Sequence, residues 1–203
     1  MKPVPHPADD ELLPRIQMLD EQAFMALYQH RQGALYRFAL HMSGSAAVAE
    51  DVTQEVFLAL LREGCGYDPD RGTLSGYLFG IARKLVLRHV DRVRGDVALD
   101  IDSDENPLPQ LAVNDDPLID LTHREGIESL RRAVQALPRP YREVVVLCDL
   151  EEVDYADAAV ALGCPIGTVR SRLHRARALL LEKLTQERSP RHTIAWKPVR
   201  CLS

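Results

Sequence analysis

The chain has 203 residues, of which 46% are apolar and 27% are charged, and its formal net charge is −5. This composition is typical of a soluble globular protein with room for one large domain or two small ones. No apolar run approaches the roughly 20 residues that a membrane-spanning helix needs, and the Pro-rich, acidic N-terminus lacks the apolar core of a secretory signal. The sequence therefore predicts a cytoplasmic protein without membrane insertion.

Charge is distributed unevenly along the chain. Residues 95–122 contain eight acidic residues and no Lys or Arg, so the remainder carries a formal charge of +3. Because binding depends on local patches rather than on the net charge, the acidic total does not exclude a nucleic-acid partner. The same segment lacks sustained periodicity, which predicts a flexible acidic linker between two units.

In the first unit, residues 16–94, apolar residues recur at helical spacing and nothing alternates with the period of a strand. Four prolines ahead of it predict that residues 1–15 form an irregular N-terminal arm. Asp20 is a candidate N-cap, the Ser-Gly-Ser run at 43–45 ends the helix that follows, and Ser45 can cap the next one. The pattern indicates a bundle of three or four helices.

The helix after Ser45 has two distinct faces. Val52 and Val56 belong to an apolar stripe that we expect to be buried. Four residues lie off this stripe and can face outward, namely Asp51, Gln54, Glu55 and Leu58.

The last helix of this unit follows a turn-rich segment, and its outer face gains positive charge toward its end. Aromatic rings beside Lys and Arg suit unpaired bases, which stack on the rings while the cations neutralise the backbone. The alternative is that these aromatic residues, which lie at helical spacing, belong to the core. The candidate nucleic-acid residues of this helix are Tyr77, Phe79, Arg83, Lys84, Arg88 and Arg92.

The second unit, residues 123–187, also has helical spacing, and residues 188–203 are expected to form a basic flexible tail. Tyr141–Leu150 is apolar enough for a strand, but Val144 and Leu147 keep helical spacing, so a helix is favoured. The predicted fold class is all-α, with two small helical domains joined by a flexible acidic linker and the second ending in a helix-turn-helix.

The helix-turn-helix consists of residues 155–162, a Gly-Cys-Pro turn and an Arg-rich stretch that runs to Leu180. Val169 and Leu173 should pack against the preceding helix. Residues on the opposite side, near the N-terminal half, are those that reach base edges in such motifs, and Arg can bind guanine through two hydrogen bonds. The predicted base-reading residues are Arg170, Ser171, His174 and Arg175.

Three further residues of this helix are candidates for phosphate contacts. Arg172 and Arg177 lie at the flanks, and Thr168 lies near the helix start, where a backbone N–H can meet a phosphate. The alternative is an ordinary solvated basic helix, although four Arg in eight positions exceed what solubility requires.

Four segments with these features follow one another along the chain. They are residues 49–60 (AEDVTQEVFLAL), 78–92 (LFGIARKLVLRHVDR), 137–151 (LPRPYREVVVLCDLE) and 161–180 (ALGCPIGTVRSRLHRARALL). In order and spacing they resemble the extracytoplasmic-function (ECF) group of bacterial RNA polymerase sigma factors. Four motifs in series make the resemblance specific, which a helix-turn-helix alone would not do.

The resemblance implies a sigma factor that binds core RNA polymerase and directs promoter-specific transcription initiation. Sigma domain 2, here residues 16–94, would dock on the clamp helices of the largest subunit through Asp51, Gln54, Glu55 and Leu58, and would melt and read the minus-ten element. Sigma domain 4, residues 123–187, would read the minus-thirty-five element and contact the flap of the second-largest subunit. The family also implies an anti-sigma factor as a partner and an acidic linker that threads toward the RNA-exit channel.

Geometry favours two separately placed domains over one compact globule. Promoter elements about two DNA turns apart are separated by roughly 70 Å. A linker of this length can bridge such a span only when extended, since its limit is about 90 Å.

Two other classes of function compete with this interpretation. The first is a helix-turn-helix transcriptional regulator that does not join core polymerase, and it would not need the outward set on the second helix. The second is an enzyme, but no P-loop or nucleophile elbow is present, the four cysteines lack CxxC spacing and the histidines are not paired at ligand spacing. The sequence therefore predicts no catalytic residues, no metal and no cofactor.

Overall fold

Helical periodicity in the sequence corresponds to eight α-helices within residues 8–18, 20–63, 67–97 and 117–188, which are the residues that the computed structural model describes. The helices are α1 (Ala8–Gln17), α2 (Glu21–Ser43), α3 (Ala46–Glu63), α4 (Leu74–Val97), α5 (Pro117–Gln135), α6 (Arg139–Val145), α7 (Tyr155–Leu162) and α8 (Ile166–Arg188). A 3₁₀ turn at Pro69–Arg71 precedes α4, and a π-helical turn at Val146–Leu150 continues α6. None of the helices in these ranges is long and apolar enough to cross a membrane.

The helix caps of the first domain confirm the predicted capping roles of Asp20 and Ser45 and the predicted end of the helix at residues 43–45. The Asp20 carboxylate accepts hydrogen bonds from the backbone N–H groups of Gln22 and Ala23 at 3.0 and 3.2 Å, which satisfies donors that the first turn of α2 would otherwise leave open. Gly44 ends α2 in the left-handed region, at φ 74°, where glycine has no steric penalty. The Ser45 hydroxyl then accepts from the N–H of Val48 at 3.4 Å and caps α3.

The core of the first domain lies between α2, α3 and α4. Its largest fully buried side chains include Leu27, Phe38, Val52, Val56 and Leu78. Each such side chain contributes about 1.5–3 kcal/mol by leaving water. The expected burial of the Val52 and Val56 stripe is therefore confirmed.

The N-terminal arm differs from the expectation of an irregular segment over residues 1–15. Residues 8–17 form α1, and Pro14 lies inside this helix. Proline lacks the N–H for one helical hydrogen bond, but Leu13 and Ile16, each 5% exposed, are buried as α1 packs on α2. This apolar burial outweighs the missing bond. Residues 1–7 lie outside the described part of the chain.

The linker boundaries also require correction. Helix α4 continues through residues 95–97, and α5 begins at Pro117, so both ends of the predicted segment 95–122 are helical. Pro117 fits the first turn of a helix, where its missing N–H has no partner to lose. Residues 98–116, and residues 189–203 of the predicted tail, lie outside the described residues.

In the second domain, α6, the π-helical turn, α7 and α8 surround a small apolar core. The helical assignment of Tyr141–Leu150 is confirmed, and Val144, Val146 and Leu147 are fully buried within it. Gly163, at φ 63°, forms the left-handed turn between α7 and α8. Two small helical domains, the second ending in a helix-turn-helix, are thus observed.

The relative position of the two domains differs from the expectation of separate placement. Helix α7 of the second domain packs on α4 of the first. A Cβ on Gly76 would lie 3.1 Å from the carbonyl oxygen of Asp157, and one on Gly80 would lie 3.6 Å from the Cα of Ala161. Glycine at position 76 lets the backbones of α4 and α7 approach this closely, whereas the distance at Gly80 is an ordinary van der Waals contact.

Candidate nucleic-acid and polymerase interfaces

The outer face of α8 presents the four predicted base-reading residues. Val169, Leu173 and Ala176 are at most 1% exposed and fix the rotation of the helix. With 3.6 residues per turn, the side opposite to them faces solvent. Arg170, Ser171, His174 and Arg175 are all exposed there.

Two of these side chains have neighbours that orient them. The guanidinium of Arg170 lies over the ring of Tyr155, 6.0 Å from its centroid, at the start of α7. The Ser171 hydroxyl donates to the Thr168 carbonyl at 3.1 Å, which leaves its oxygen able to accept a further bond. The guanidinium of Arg170 and the hydroxyl of Ser171 are thus oriented by neighbouring groups while they stay at the surface.

Arg177 is held by the protein rather than left available to phosphate. Its Nε and Nη2 donate to the two carboxylate oxygens of Asp149 at 3.0 and 2.5 Å. This bidentate pair raises the pKa of Arg177, mainly through the hydrogen bonds to Asp149. A phosphate contact by Arg177 would have to compete with Asp149, and the other two phosphate candidates, Arg172 and Thr168, are half-buried.

Five of the six candidate residues of α4 separate into three groups by burial. Phe79 is 2% exposed and packs edge-on against Phe38, with ring centroids 5.5 Å apart. The prediction that Phe79 contacts a base is therefore wrong, because its position on α4 points into the core. Tyr77 is half-buried beside Tyr67, at 5.7 Å between centroids, while Lys84, Arg88 and Arg92 are exposed.

Arg83, the remaining candidate on α4, is paired with the second domain. Its Nε donates to Glu143 at 2.9 Å and its Nη2 at 3.4 Å, and the Glu143 side chain is only 2% exposed. Arg139 approaches the same carboxylate at 3.8 Å from one turn away on α6. The sequence does not reveal Glu143 as a functional residue, since a Glu among apolar positions carries no signal of its partner.

A cleft lies along the seam between α4 and α7, with a volume of about 660 Å³. Its lining combines the backbone at Gly76 and Gly80 with the side chains of Tyr77, Arg83 and Lys84. Three of the six α4 candidates therefore lie beside the second domain, and Lys84 among them is still exposed to solvent.

The outward set on α3 has the predicted exposure. Asp51, Gln54, Glu55 and Leu58 are all exposed, and Leu58 is 46% exposed although it is a large apolar residue. Leu61, 48% exposed, follows Leu58 by three residues and so shares its face. The prediction did not include Leu61, although the i,i+3 spacing was the signal for it.

Other reactive groups lie away from these surfaces. Burial raises the pKa of the Cys148 thiol to about 12, so the thiol is protonated at neutral pH. Within the described ranges no group of three or more His, Cys, Asp or Glu side chains is arranged to hold a metal ion.

Each of the two domains matches a known protein family. Residues 27–95 match the family described as Sigma-70 region 2, and residues 127–180 match Sigma-70, region 4. The ECF RNA polymerase sigma factor SigE of Mycolicibacterium smegmatis is 37% identical over 170 residues, which cover 80% of this chain and 62% of that protein. The ECF RNA polymerase sigma factor SigC of Mycobacterium tuberculosis is 32% identical over 79% of this chain and 82% of its own length.

Solved structures share the fold. CnrH, in complex with the cytosolic domain of CnrY, superposes with a TM-score of 0.67 at 23% identity over 89% of this chain and 99% of that one. The sigma factor RpoE of Bartonella quintana, in complex with the anti-sigma factor NepR, gives 0.65 at 24% identity over 81% and 98%. Together with the two matched regions and the 32% identity to SigC, these findings show that the chain belongs to the extracytoplasmic-function group of bacterial RNA polymerase sigma factors.

Proposed function

We propose that this sigma factor joins core RNA polymerase through α3 and directs initiation at promoters whose minus-ten and minus-thirty-five elements are read by α4 and α8. The observation that carries the proposal is the α3 face, where Leu58 is exposed beside Asp51, Gln54 and Glu55. An apolar side chain flanked by polar ones on a convex helix is typical of a docking surface. A regulator that only binds DNA would not need it.

Duplex recognition is the proposed role of α8. Arg170 and Arg175 are exposed with donors that match guanine in the major groove, and Ser171 and His174 lie between them. Arg172 and the backbone N–H near Thr168 would hold phosphates and set the register of the helix. Arg177 contributes by pairing with Asp149, which fixes α8 against the π-helical turn.

Binding of the opened minus-ten strand is the proposed role of α4. Lys84, Arg88 and Arg92 supply exposed positive charge, and Tyr77 supplies a ring on which a base can stack. Arg83 belongs to the same face and would join it once separated from Glu143.

Further contacts with the transcription machinery are proposed for the second domain. Ile127 and Leu130 are 45% and 37% exposed on α5, although both are large apolar residues. These residues suit an apolar partner such as the flap of the second-largest subunit. An anti-sigma factor is a proposed partner as well, because RpoE of Bartonella quintana binds NepR with the same fold. We propose a cytoplasmic location as well, because core RNA polymerase acts there.

The test is reconstitution with sigma-free core polymerase. Purified protein is mixed with core and a library of promoter fragments, and transcripts are mapped. We expect a stable complex and initiation at a defined subset of fragments. Specific binding to duplex DNA without any association with core would instead establish the regulator.

A further inference from the structure

Contacts in which an arginine of one domain meets an acceptor of the other join the two domains, and among them Arg139 of α6 lies 4.0 Å from Asp91 of α4. Arg83 pairs with Glu143, and Arg37 donates to both oxygens of Glu151, with distances of 2.7 to 3.2 Å. Arg142 donates to the carbonyl of Met42 at 3.3 Å, at the end of α2. These contacts span the seam from the middle of α4 to the end of α2.

Burial shows that the contacts belong to a formed interface. The side chains of Glu143 and Glu151 are 2% and 1% exposed, and both are covered by arginines of the first domain. A buried carboxylate without a cation is strongly disfavoured, so each is stabilised by its partner from the other domain. If the domains separated, Glu151 would lose Arg37, and Glu143 would lose Arg83 and keep only the longer contact with Arg139.

The backbone fit is equally specific to this arrangement. The atoms nearest to a Cβ on Gly76, outside its own helix, all belong to α7, with the Asp157 oxygen at 3.1 Å and the Val160 Cβ at 3.4 Å. Because Gly76 has no side chain, α7 can pack closely on α4 at this position.

The interface covers some functional surfaces and spares others. Tyr77, Arg83 and Lys84 line the seam. In contrast, the α3 docking set and the base-reading side chains of α8 remain exposed. Closure therefore covers part of the proposed opened-strand face, at Tyr77 and Arg83, while Lys84, Arg88 and Arg92 of the same helix stay exposed.

We propose that the free protein exists in a closed state in which Glu143 and Glu151 of the second domain hold Arg83 and Arg37, so that Arg83 of the α4 face is unavailable to single-stranded DNA while α3 and α8 stay competent. The Glu143 carboxylate occupies the partner position that a phosphate would take on Arg83. Docking on core and duplex recognition can then precede opening, and strand capture follows it. This inference rests on the proposed role of α4.

The test uses the full-length protein with two independent opening variants. Arg37→Glu places like charges against Glu151, and Gly76→Val inserts a side chain into the α4–α7 seam. Neither residue is part of the proposed DNA or polymerase surfaces. Small-angle X-ray scattering reports the radius of gyration, and fluorescence anisotropy reports affinity for a mixed-sequence single-stranded oligonucleotide and for a mixed-sequence duplex.

Both variants should have a larger radius of gyration than the wild type. If the open state is a minor population of about 10%, opening should tighten single-strand binding about tenfold. Duplex binding should stay unchanged, because the α8 face is already exposed. The exchanged pair Arg37→Glu with Glu151→Arg should restore both wild-type values, and Gly126→Val, where a Cβ meets nothing within 4 Å, should change neither.

An unchanged radius of gyration in both opening variants would overturn the closed state. A larger radius without tighter single-strand binding would overturn the masking of α4. Failure of the proposed sigma function would be seen separately, as absence of core binding and transcript by wild type and opened variants alike, because the scattering measurement needs no polymerase.

Discussion

The guanidinium of Arg83 on α4 donates to the carboxylate of Glu143 on α6 at 2.9 Å, across 60 residues of sequence. Arg83 belongs to the predicted nucleic-acid face of the first domain, and Glu143 lies in the core-facing side of the second. One ion pair thus connects the proposed strand-binding helix with the domain that carries the helix-turn-helix. This connection covers Arg83 and leaves the predicted faces of α3 and α8 exposed.

Replacement of Arg175 by alanine should reduce discrimination at one base pair of the minus-thirty-five element by about 1–3 kcal/mol, because a bidentate base contact is lost. Arg172→Ala is the matched control, since a phosphate contact carries no sequence information and its loss weakens all duplexes equally. Binding to a panel of single-substituted duplexes measures both. A uniform loss for Arg175→Ala would show that this residue holds phosphate.

The double variant Gln54→Ala with Glu55→Ala should weaken binding to core polymerase while leaving the circular dichroism spectrum and thermal midpoint unchanged, because both side chains are exposed on α3. Interface side chains that matter typically change affinity by more than about 1 kcal/mol on truncation. Glu21→Ala with Gln22→Ala removes the same residue types from the exposed start of α2 and should have no effect on core binding. Equal core affinity of the two double variants would refute the docking assignment.

Phe79 and Tyr77 should respond to substitution in opposite ways. Phe79→Ala should lower the free energy of unfolding by about 3–5 kcal/mol, since it empties a core position beside Phe38. Tyr77→Ala should leave the fold intact and weaken capture of the opened strand in the polymerase complex by about 1–3 kcal/mol, the value of one stacked base. Denaturant unfolding and promoter-opening assays separate the two effects. Phe79→Leu, which keeps an apolar side chain, should open promoters normally, and a defect there would reinstate Phe79 as a base contact.

Stability should decrease on acidification through His41. Burial lowers the pKa of His41, and the nearby Arg131 and Arg37 add to this effect. Because the unfolded chain binds the proton more readily, this contribution is complete above the ordinary pKa of 6.5 and declines as pH falls through it toward the lowered value. Thermal midpoints measured from about pH 7.5 down to about pH 5.5 should therefore fall more steeply for wild type than for His41→Gln.

The pKa of Glu151 shifts in the opposite sense, and it provides the internal control for this experiment. Burial raises the pKa of Glu151, and the hydrogen bond from Arg37 only partly offsets the rise. Its protonation on acidification therefore favours the folded state, in both wild type and His41→Gln. The difference between the two proteins isolates His41, and parallel pH profiles would exclude it as the titrating group.

Local sequence signals predicted much of the secondary structure and of the solvent-exposed faces. The Asp20 and Ser45 caps, the glycine turn at 163 and the exposed faces of α3 and α8 all depend on residues within one or two helical turns. The helical period of 3.6 residues determines which side chains share a face of a helix, and this does not depend on the rest of the chain. The exposure of Leu58 and of Arg175 could therefore be predicted before any tertiary contact was known.

Features that depend on two distant elements could not be predicted in this way. Phe79 and Tyr77 are both aromatic residues on one helix, and only the position of Phe38 makes one of them core. Residues 8–17 become helical because α2 offers a surface for Leu13 and Ile16, which overrides the proline signal.

By itself the sequence determined that this protein is all-helical and that it has a helix-turn-helix with an exposed basic face, which are consequences of short-range periodicity and of residue type. The sigma factor family came instead from the resemblance of its four motifs in series to that family. Only the tertiary structure decided that Glu143 and Glu151 are buried against Arg83 and Arg37 and that Gly76 admits α7. The physical reason is that the burial of a charged side chain and the close packing of two backbones both depend on which residues of the other domain lie beside them. Local periodicity carries no information about those residues.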